Sequence, residues 1–241
     1  MKLRFDRKKP RHALLSLCYR LAKLPFAPSK SKVRLFLDLN WIMWRLAMEQ
    51  TERMVGFGEA SARRKNLEFL LARIRPGSSV LDLGCKYGDI SAIVAEKARR
   101  VIAVDHDASA IDQARAAHRS SNLEFIQADA FDVLQREKDP MDVVILSHIL
   151  EHLDKPEDML ERLRSHATHC YIELPDLDAS YLNHYRRLVD AKLQYTDNDH
   201  IWEFDRDSLR ELIEGAGWRV LDSEYRYGVQ KHWCASQGSP A

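Results

Sequence analysis

From about Gly58 onward, short apolar runs alternate with segments of helical periodicity. The runs have the length of buried strands and stand at residues 79–83, 101–104, 123–126, 142–146, 170–174, 218–223 and 232–235. Strands that alternate with helices form a parallel sheet covered by helices on both faces. Only a short loop around Tyr227 and Gly228 separates the last two runs, so we expect one of those strands to run antiparallel.

Composition narrows the class of protein further. The 241 residues are 45% hydrophobic and 30% charged, which is typical of one large globular domain with or without an appendage. The cysteines at positions 18, 85, 170 and 234 are too far apart for a Cys-x-x-Cys site or a disulfide framework, so we expect a reducing, cytoplasmic location. We find neither a run of 18 apolar residues nor the pattern of a signal peptide.

Charge is distributed unevenly along the chain. Residues 1–35 carry eleven Lys or Arg and a single acid, whereas the remainder carries 26 basic and 35 acidic side chains. Residues 12–24 have the pattern of a basic amphipathic helix, and residues 33–55 that of a second helix. We therefore divide the chain into a basic helical extension, 1–58, and a main domain, 59–241. The extension either binds an anionic membrane surface peripherally or docks on its own domain with the basic arm in solvent.

The strongest motif joins the first strand of the main domain to the following helix. In Val80–Asp89 the apolar strand runs into a turn at Gly84, where a glycine lets the backbone approach a ligand closely. The dinucleotide fingerprint Gly-x-Gly-x-x-Gly would need glycine where Lys86 and Asp89 stand. The motif therefore predicts a cofactor loop other than that of a nicotinamide or flavin dinucleotide.

Acidic residues follow the next two predicted strands. Asp105 ends the second strand, at a position suited to hold the two hydroxyls of a ribose, and Asp129 follows the third, where a carboxylate could accept from an adenine amine. Either acid alone would more often be a helix cap or a surface residue. Together with the Gly84 turn they predict an adenosine site at the carboxyl ends of neighbouring strands.

These motifs, followed by Asp142-Val-Val-Ile-Leu-Ser-His-Ile-Leu-Glu-His-Leu, resemble the class I S-adenosylmethionine-dependent methyltransferases, above all the small-molecule and sugar group. The resemblance covers about 59–235. It implies a Rossmann-like, doubly wound α/β sheet of seven mostly parallel strands with the last strand antiparallel, plus N-terminal helices. It also implies S-adenosyl-L-methionine as cofactor, bound by Asp82, Gly84, Cys85, Gly88, Asp105, His106, Asp129, Ala130 and Ser147. The family usually has glycine where this chain has Lys86.

A cluster of ionisable residues follows the fourth strand. His148, Glu151 and His152 have the i, i+3, i+4 spacing of one helical face, which is also the spacing of the inverted zinc-peptidase motif. The methyltransferase context argues against a peptidase. The segment also resembles the Glu-x-x-Glu-His of ubiquinone-pathway O-methyltransferases, which hold a divalent metal there. Because His148 replaces the first glutamate, we expect no metal, and the Glu-His pair can instead be a packing feature of the family.

Methyl transfer to a hydroxyl needs an aligned acceptor and a base that removes its proton. The candidates for catalysis are His148, His152, His200 and Glu151. His200 lies in a His-x-x-x-Phe segment that resembles the acceptor-side segment of many of these enzymes. Each histidine could instead be purely structural.

The acceptor is predicted largely by exclusion. Neither the Asp/Asn-Pro-Pro-aromatic segment of base amino-methyltransferases nor a cysteine nucleophile follows Ser147, and the acidic body disfavours nucleic acid. We expect a hydroxyl on a small molecule or on a lipid-linked glycan, bound under a polar insertion at 176–198. The alternatives are a non-catalytic, membrane-associated scaffold, suggested by Lys86, and an RNA methyltransferase using the basic arm.

Overall fold

The computed structural model describes residues 13–25, 27–136, 139–193 and 199–236. One seven-stranded sheet lies at its centre, in the order β3-β2-β1-β4-β5-β7-β6. Its strands are β1 (Ser79–Leu83), β2 (Arg100–Asp105), β3 (Leu123–Gln127), β4 (Met141–Ser147), β5 (Ala167–Pro175), β6 (Trp218–Arg226) and β7 (Val229–Ser236). Strand β7 pairs antiparallel with both β5 and β6, and the other pairs are parallel. The predicted fold, including the reversed last strand, is confirmed.

Nine α-helices lie within the described ranges. They are α1 (Ala13–Ala22), α2 (Ser29–Val55), α3 (Ala62–Leu71), α4 (Asp89–Ala95), α5 (Ala108–Ala117), α6 (Ala130–Arg136), α7 (Pro156–Leu163), α8 (Tyr181–Leu188) and α9 (Arg206–Gly215). Two short 3₁₀ turns, Leu150–His152 and Leu177–Ala179, follow β4 and β5. Both turns lie at the carboxyl ends of their strands, the edge at which α/β sheets bind ligands.

Apolar side chains cover both faces of the sheet because successive residues of a strand point to opposite sides. Leu81 and Leu146 belong to the core on one face, together with residues of α7 and α9. Val80 and Ile145 belong to the core on the other face, with residues of α3 and α4. Trp218 is fully buried in the first core and satisfies its indole N–H by donating to the carbonyl of Leu160 at 2.8 Å. Burial on both faces explains why the central strands are almost continuously apolar.

Two helices were missing from the sequence prediction. Helix α6 is too short for a clear helical period, and Val133 and Leu134 are its buried side chains. Helix α8 lies in the predicted polar insertion, where Ser180 caps it by accepting from the N–H of Leu182 at 3.3 Å. Charged and aromatic residues on α8 conceal its apolar periodicity. Residues 194–198 of the same insertion lie outside the described residues.

The extension is helical, as predicted. Helices α1 and α2 lie where helices were predicted at residues 12–24 and 33–55, with somewhat different bounds. Residues 1–12 of the basic arm lie outside the described residues. Among the described residues, no helix has the length and hydropathy of a membrane span.

Candidate active site

Gly84 brings the end of β1 into close contact with the end of β2. The backbone N–H groups of Gly84 and Cys85 both donate to the carbonyl of Val104, at 2.8 and 3.0 Å. Gly84 has φ +74°, and a Cβ there would stand 2.0 Å from Cδ1 of Ile149. Gly88 has φ +77°, and its Cβ would stand 2.5 Å from the Phe125 ring. Both glycines are therefore required by backbone conformation and by close packing.

Asp105 is held directly against the Gly84 turn. One carboxylate oxygen accepts from the N–H of Lys86 at 2.8 Å, and the other accepts from the N–H of Asp107 at 2.9 Å. The side chain is only 10% exposed, and the ring of the largely exposed His106 lies 3.6 Å away. A carboxylate has about four acceptor positions, so two remain for the hydroxyls of a ribose. These contacts fix the orientation of the Asp105 carboxylate, and its contact with a ribose stays a prediction.

Asp129 and Ala130 lie beside Asp105 at the end of the neighbouring strand. Gln127 is in register with Asp105, and the N–H of Ala128 donates to the Asp105 carbonyl at 3.0 Å. Asp129 is exposed and accepts from the N–H of Phe131 at 2.8 Å, which leaves acceptor positions for an adenine amine. The structure thus brings the Gly84 turn, Asp105 and Asp129 to one edge of the sheet, and these residues fit an adenosine-bearing cofactor.

Two members of the predicted cofactor set lie beneath this edge. Asp82 is 2% exposed and accepts from the Ser91 hydroxyl at 2.5 Å. Burial, opposed by that hydrogen bond and reinforced by the charge of Asp105, raises the pKa of Asp82 to about 7. Burial also raises the pKa of the Cys85 thiol. Both side chains support the loop from below, and any direct contact with the cofactor stays a prediction.

Lys86 has a backbone conformation that favours glycine. Its φ is +49°, in the left-handed region, and its side chain is exposed with the ammonium 5.5 Å from the centre of the Tyr87 ring. The turn therefore carries strain in one L-residue.

Replacing Lys86 with Gly is expected to stabilise the protein by about 1 kcal/mol, because the left-handed strain outweighs the extra freedom of glycine in the unfolded chain. For a chain of this size that corresponds to roughly 2–4 °C in Tm. Thermal unfolding of the two proteins measures the difference in Tm. Lys155, exposed and with φ −134°, is the matched control, and Lys155→Gly should not stabilise. Equal or lower stability of Lys86→Gly would refute the strain argument.

His148 lies directly after Ser147, where β4 ends, with φ +57°. Its Nδ1 lies 3.1 Å from Oε1 of Glu151, and its Nε2 lies 3.6 Å from Oε1 of Glu173. Both glutamates are buried, and Tyr171 donates its hydroxyl to the other oxygen of Glu173. Two carboxylates facing both ring nitrogens favour the doubly protonated imidazolium.

The pKa values of the pair agree with this geometry. Desolvation acts to lower the pKa of His148, but hydrogen bonds and charge from Glu151 and Glu173 outweigh it and raise that pKa to about 9. Burial acts to raise the pKa of Glu173, but His148 and Tyr171 lower it below its usual value. At neutral pH His148 is therefore a cation held between two carboxylates. Since 42% of its side chain is exposed, solvent screens part of this interaction.

Stability should depend on pH through this cluster. Because the folded-state pKa of His148 is raised, its contribution is complete below its usual pKa of 6.5 and is lost as pH rises toward about 9. Because the pKa of Glu173 is lowered, its contribution is complete above its usual 4.5 and is lost under more acidic conditions. We expect the free energy of unfolding in urea to fall between pH 6.5 and 9 in wild type and to fall less in His148→Gln. Equal pH slopes would contradict the assigned charge.

Residues 199–204 bring His200 to the same edge. The N–H groups of Ile201 and Trp202 donate to the Glu151 carbonyl at 2.8 and 3.1 Å, which joins this segment to the turn after β4. The rings of His152 and His200 meet edge to face, with centroids 4.8 Å apart. The structure thus brings together all four predicted catalytic residues.

The two histidines differ in environment. His152 is 32% exposed, and its Nδ1 lies 3.2 Å from the Asp199 carbonyl. His200 is 6% exposed, and its Nδ1 lies 3.0 Å from a carboxylate oxygen of Glu203. A carbonyl can only accept, so Nδ1 of neutral His152 carries the proton and Nε2 presents the lone pair.

Glu151, His152 and His200 also form the one set of described side chains with the geometry to hold a metal ion, each offering a ligand atom within 4.8 Å of the others. Two imidazoles and a carboxylate suit a divalent transition metal. However, His148 already neutralises Oε1 of Glu151. We therefore still expect a metal-free enzyme. Elemental analysis should find less than stoichiometric metal, and chelation should leave activity unchanged.

A cavity of about 280 Å³ lies beside this cluster, between α8 and residues 201–203. It is lined by Leu177, Asn183, Arg186, Arg187, Ile201, Trp202 and Glu203. Arg186 is 5% exposed and donates to Asn183 and Asn40, but its Nε has no hydrogen-bond partner among the described residues. The cavity is large enough for part of a small acceptor and carries two guanidinium groups.

Glu173 and both arginines of this cavity were not predicted from the sequence. Glu173 could have been noticed as a charged residue inside the apolar run Tyr-Ile-Glu-Leu, because a carboxylate within a buried strand needs a partner. Arg186 and Arg187 offered no comparable signal. They gain their position from the fold of α8 against α2 and the segment after residue 199.

Comparison with known proteins agrees with this geometry. Residues 57–223, more than half of the chain, match a family model described as a methyltransferase domain. The tRNA 5-carboxymethoxyuridine methyltransferase of Escherichia coli K12 is 32% identical over 106 residues, 42% of this chain and 41% of that protein. The (S)-coclaurine N-methyltransferase of Thalictrum flavum subsp. glaucum is 32% identical over 98 residues, 39% of this chain and 27% of that protein. The chain thus matches less than half the length of these curated relatives.

Solved structures share the fold. A DhpI–SAH complex superposes with a TM-score of 0.59 at 22% identity, covering 84% of this chain and 97% of that one. The magnesium protoporphyrin IX methyltransferase of Synechocystis PCC 6803 with bound SAH gives 0.56 at 16% identity, covering 79% and 94%. The residues that match the family model include those of the cofactor edge. The chain belongs to the methyltransferase domain family, and its Rossmann-like fold is that of S-adenosylmethionine-dependent methyltransferases.

Proposed function

We propose that this enzyme transfers the methyl group to a hydroxyl of a small molecule or of a lipid-linked glycan. The observation that carries the proposal is the orientation of His152 at the carboxyl end of β4, with Nδ1 against a carbonyl and Nε2 available as a base. A hydroxyl acceptor needs such a base, whereas a neutral amine or a carboxylate can attack without prior deprotonation.

S-adenosylmethionine would be held by Gly84, Asp105 and Asp129, and it would supply a methyl group activated by the sulfonium, whose sulfur would keep the electron pair of the bond to that methyl. Nε2 of His152 would take the proton of the acceptor hydroxyl as the acceptor oxygen is methylated. Base catalysis of this kind contributes roughly 10²–10⁴ in rate.

The neighbouring residues have separate roles in this proposal. Glu151 lies within 4.8 Å of the histidine ligand atoms, and its buried Oε2 has no partner among the described residues, so it would stabilise the imidazolium that forms on His152. His148 is already protonated and has no lone pair for the base role. Arg186 and Arg187, with Asn183, would hold an anionic or hydroxyl-rich part of the acceptor in the adjoining cavity.

A second candidate is a tRNA nucleoside, which is favoured by the match to the Escherichia coli tRNA methyltransferase and by the basic residues of 1–35. The acidic main domain argues against a large polyanion. A non-catalytic scaffold would also retain this fold.

Two measurements, binding of the cofactor and turnover on a panel of acceptors, separate the three possibilities. We expect calorimetry to detect binding of S-adenosylmethionine, and we expect release of S-adenosylhomocysteine with hydroxylated small molecules or lipid-linked glycans as acceptors. Release with tRNA alone would favour the second candidate. Cofactor binding without turnover on any acceptor class would favour the scaffold.

A further inference from the structure

Helix α2 is attached to the rest of the protein along one side. Arg34 donates to the carbonyl of Val189 and lies 3.2 Å from a carboxylate oxygen of Asp190, which also accepts from Lys30 at 3.0 Å. One turn further on, Asn40 accepts from Arg186 at 2.8 Å. Between these polar contacts, Leu37 packs in a small apolar cluster with Val189 and Ala191, so both kinds of contact attach the helix to the residues after α8.

The opposite side of α2 is apolar and faces solvent. Its side chains recur at helical spacing and are 41–64% exposed; they are Leu35, Phe36, Leu39, Ile42, Met43 and Leu46, which together we name the outer face. Leu37 is the buried residue of the helix. Leu37 already provides the internal apolar contact of α2, so the outer face is a second apolar side of the helix that its own domain leaves exposed.

Helix α1 adds further exposed apolar side chains. Leu14, Leu15, Leu17 and Tyr19 are all more than half exposed. Large exposed apolar patches are uncommon on soluble monomers and mark sites of association. Both helices together therefore present a surface that needs an occupant.

Charge identifies the kind of occupant. Six of the eleven basic residues among 1–35 precede α1, Arg20 lies in it, Lys23 lies between α1 and α2, and three lie at the start of α2, so they flank the apolar side chains in sequence. Basic side chains beside an apolar helical face are the combination that binds anionic lipid headgroups while the apolar groups enter the acyl region. A second copy of the chain would bring two such basic segments together, which like-charge repulsion opposes.

We propose that the outer face of α2, together with α1, binds the surface of an anionic lipid bilayer. The helices lie in the plane of the interface, and the cofactor edge remains outside the lipid. Arg186 links this face to the acceptor cavity, since it contacts Asn40 of α2 and also lines that cavity. The proposal does not rest on the identity of the acceptor, because it is argued from the exposed helices alone.

The test is co-sedimentation of the full chain with vesicles of phosphatidylcholine alone or mixed with phosphatidylglycerol. We expect binding to the mixed vesicles, weakened by salt, and at least tenfold weaker binding to phosphatidylcholine alone. The variant L39Q/I42Q/M43Q should also bind the mixed vesicles at least tenfold less well. Leu221→Gln, at an exposed apolar position on β6, is the matched control and should bind like wild type.

Folding of each variant is checked independently by circular dichroism and by calorimetric binding of S-adenosylmethionine, since the outer face lies outside the cofactor edge. A second triple variant, L35Q/F36Q/L46Q, tests the same face if the first does not fold. The proposal would be overturned if the wild-type protein does not bind anionic vesicles. It would also be overturned if the outer-face variants bind them as well as wild type does. Analytical ultracentrifugation without lipid tests the alternative occupant. A dimer that the outer-face substitutions dissociate would overturn the proposal and show that a second copy of the chain covers the outer face.

Discussion

Asp105→Asn is expected to weaken the binding of S-adenosylmethionine about a hundredfold. The carboxylate is held by the N–H groups of Lys86 and Asp107 with its remaining acceptor positions free for the ribose hydroxyls. A hydrogen bond to a charged group contributes about 1.5–3 kcal/mol. Removing the charge that faces the two ribose hydroxyls is therefore expected to cost about 2.7 kcal/mol of binding free energy, which corresponds to the hundredfold change in Kd. Asparagine keeps the shape of the side chain and one acceptor oxygen, but its amide nitrogen cannot accept from the second backbone N–H. Isothermal titration calorimetry of the two proteins measures the change.

The matched control for this experiment is Asp112→Asn, which removes the same charge from an exposed position on α5. It should bind the cofactor with the wild-type Kd. A thermal unfolding curve for Asp105→Asn shows whether the fold is retained. If Asp105→Asn is folded and binds S-adenosylmethionine with wild-type affinity, the ribose contact assigned to Asp105 is wrong.

His152→Ala is expected to lower kcat at least a hundredfold with little change in cofactor affinity. The substitution removes the Nε2 that accepts the hydroxyl proton, and base catalysis is worth roughly 10²–10⁴ in rate. His200→Ala should have a smaller effect, because its Nδ1 is engaged by Glu203 and its ring packs against His152. Initial rates of S-adenosylhomocysteine release across a range of pH distinguish a lost base from a displaced acceptor.

His166→Ala is the control histidine, since it precedes β5 at the opposite edge of the sheet and contacts Arg162 and Ser165. Its kcat should match that of wild type. A lost base should lower kcat at every pH and leave the KM for the acceptor unchanged, whereas a displaced acceptor should raise that KM. Near-normal rates for His148→Ala, His152→Ala and His200→Ala together would exclude histidine as the base.

The amino-acid sequence by itself determined the fold class and the cofactor edge. Local apolar runs, helical periods and the glycine turn at Gly84 report on neighbouring residues in the chain, and the carboxyl ends of parallel strands meet at one edge whatever the details of packing. Asp105 and Asp129 could therefore be assigned to that edge before any coordinates. The short helix α6 and the polar helix α8 were missed because too few apolar residues mark their period.

Only the tertiary structure decided the chemistry of the acceptor side and the orientation of the extension. The charge of His148 depends on Glu173, which is distant in sequence but paired in register with Ser147 across β4 and β5. The tautomer of His152 depends on the Asp199 carbonyl, 47 residues away. The apolar residues of α2 are plain in the sequence, yet which side of that helix faces the protein is set by the partners of Arg34 and Asn40. Hydrogen bonds and ion pairs between distant segments leave no periodic trace in the chain, so they become visible only when the fold brings their members together.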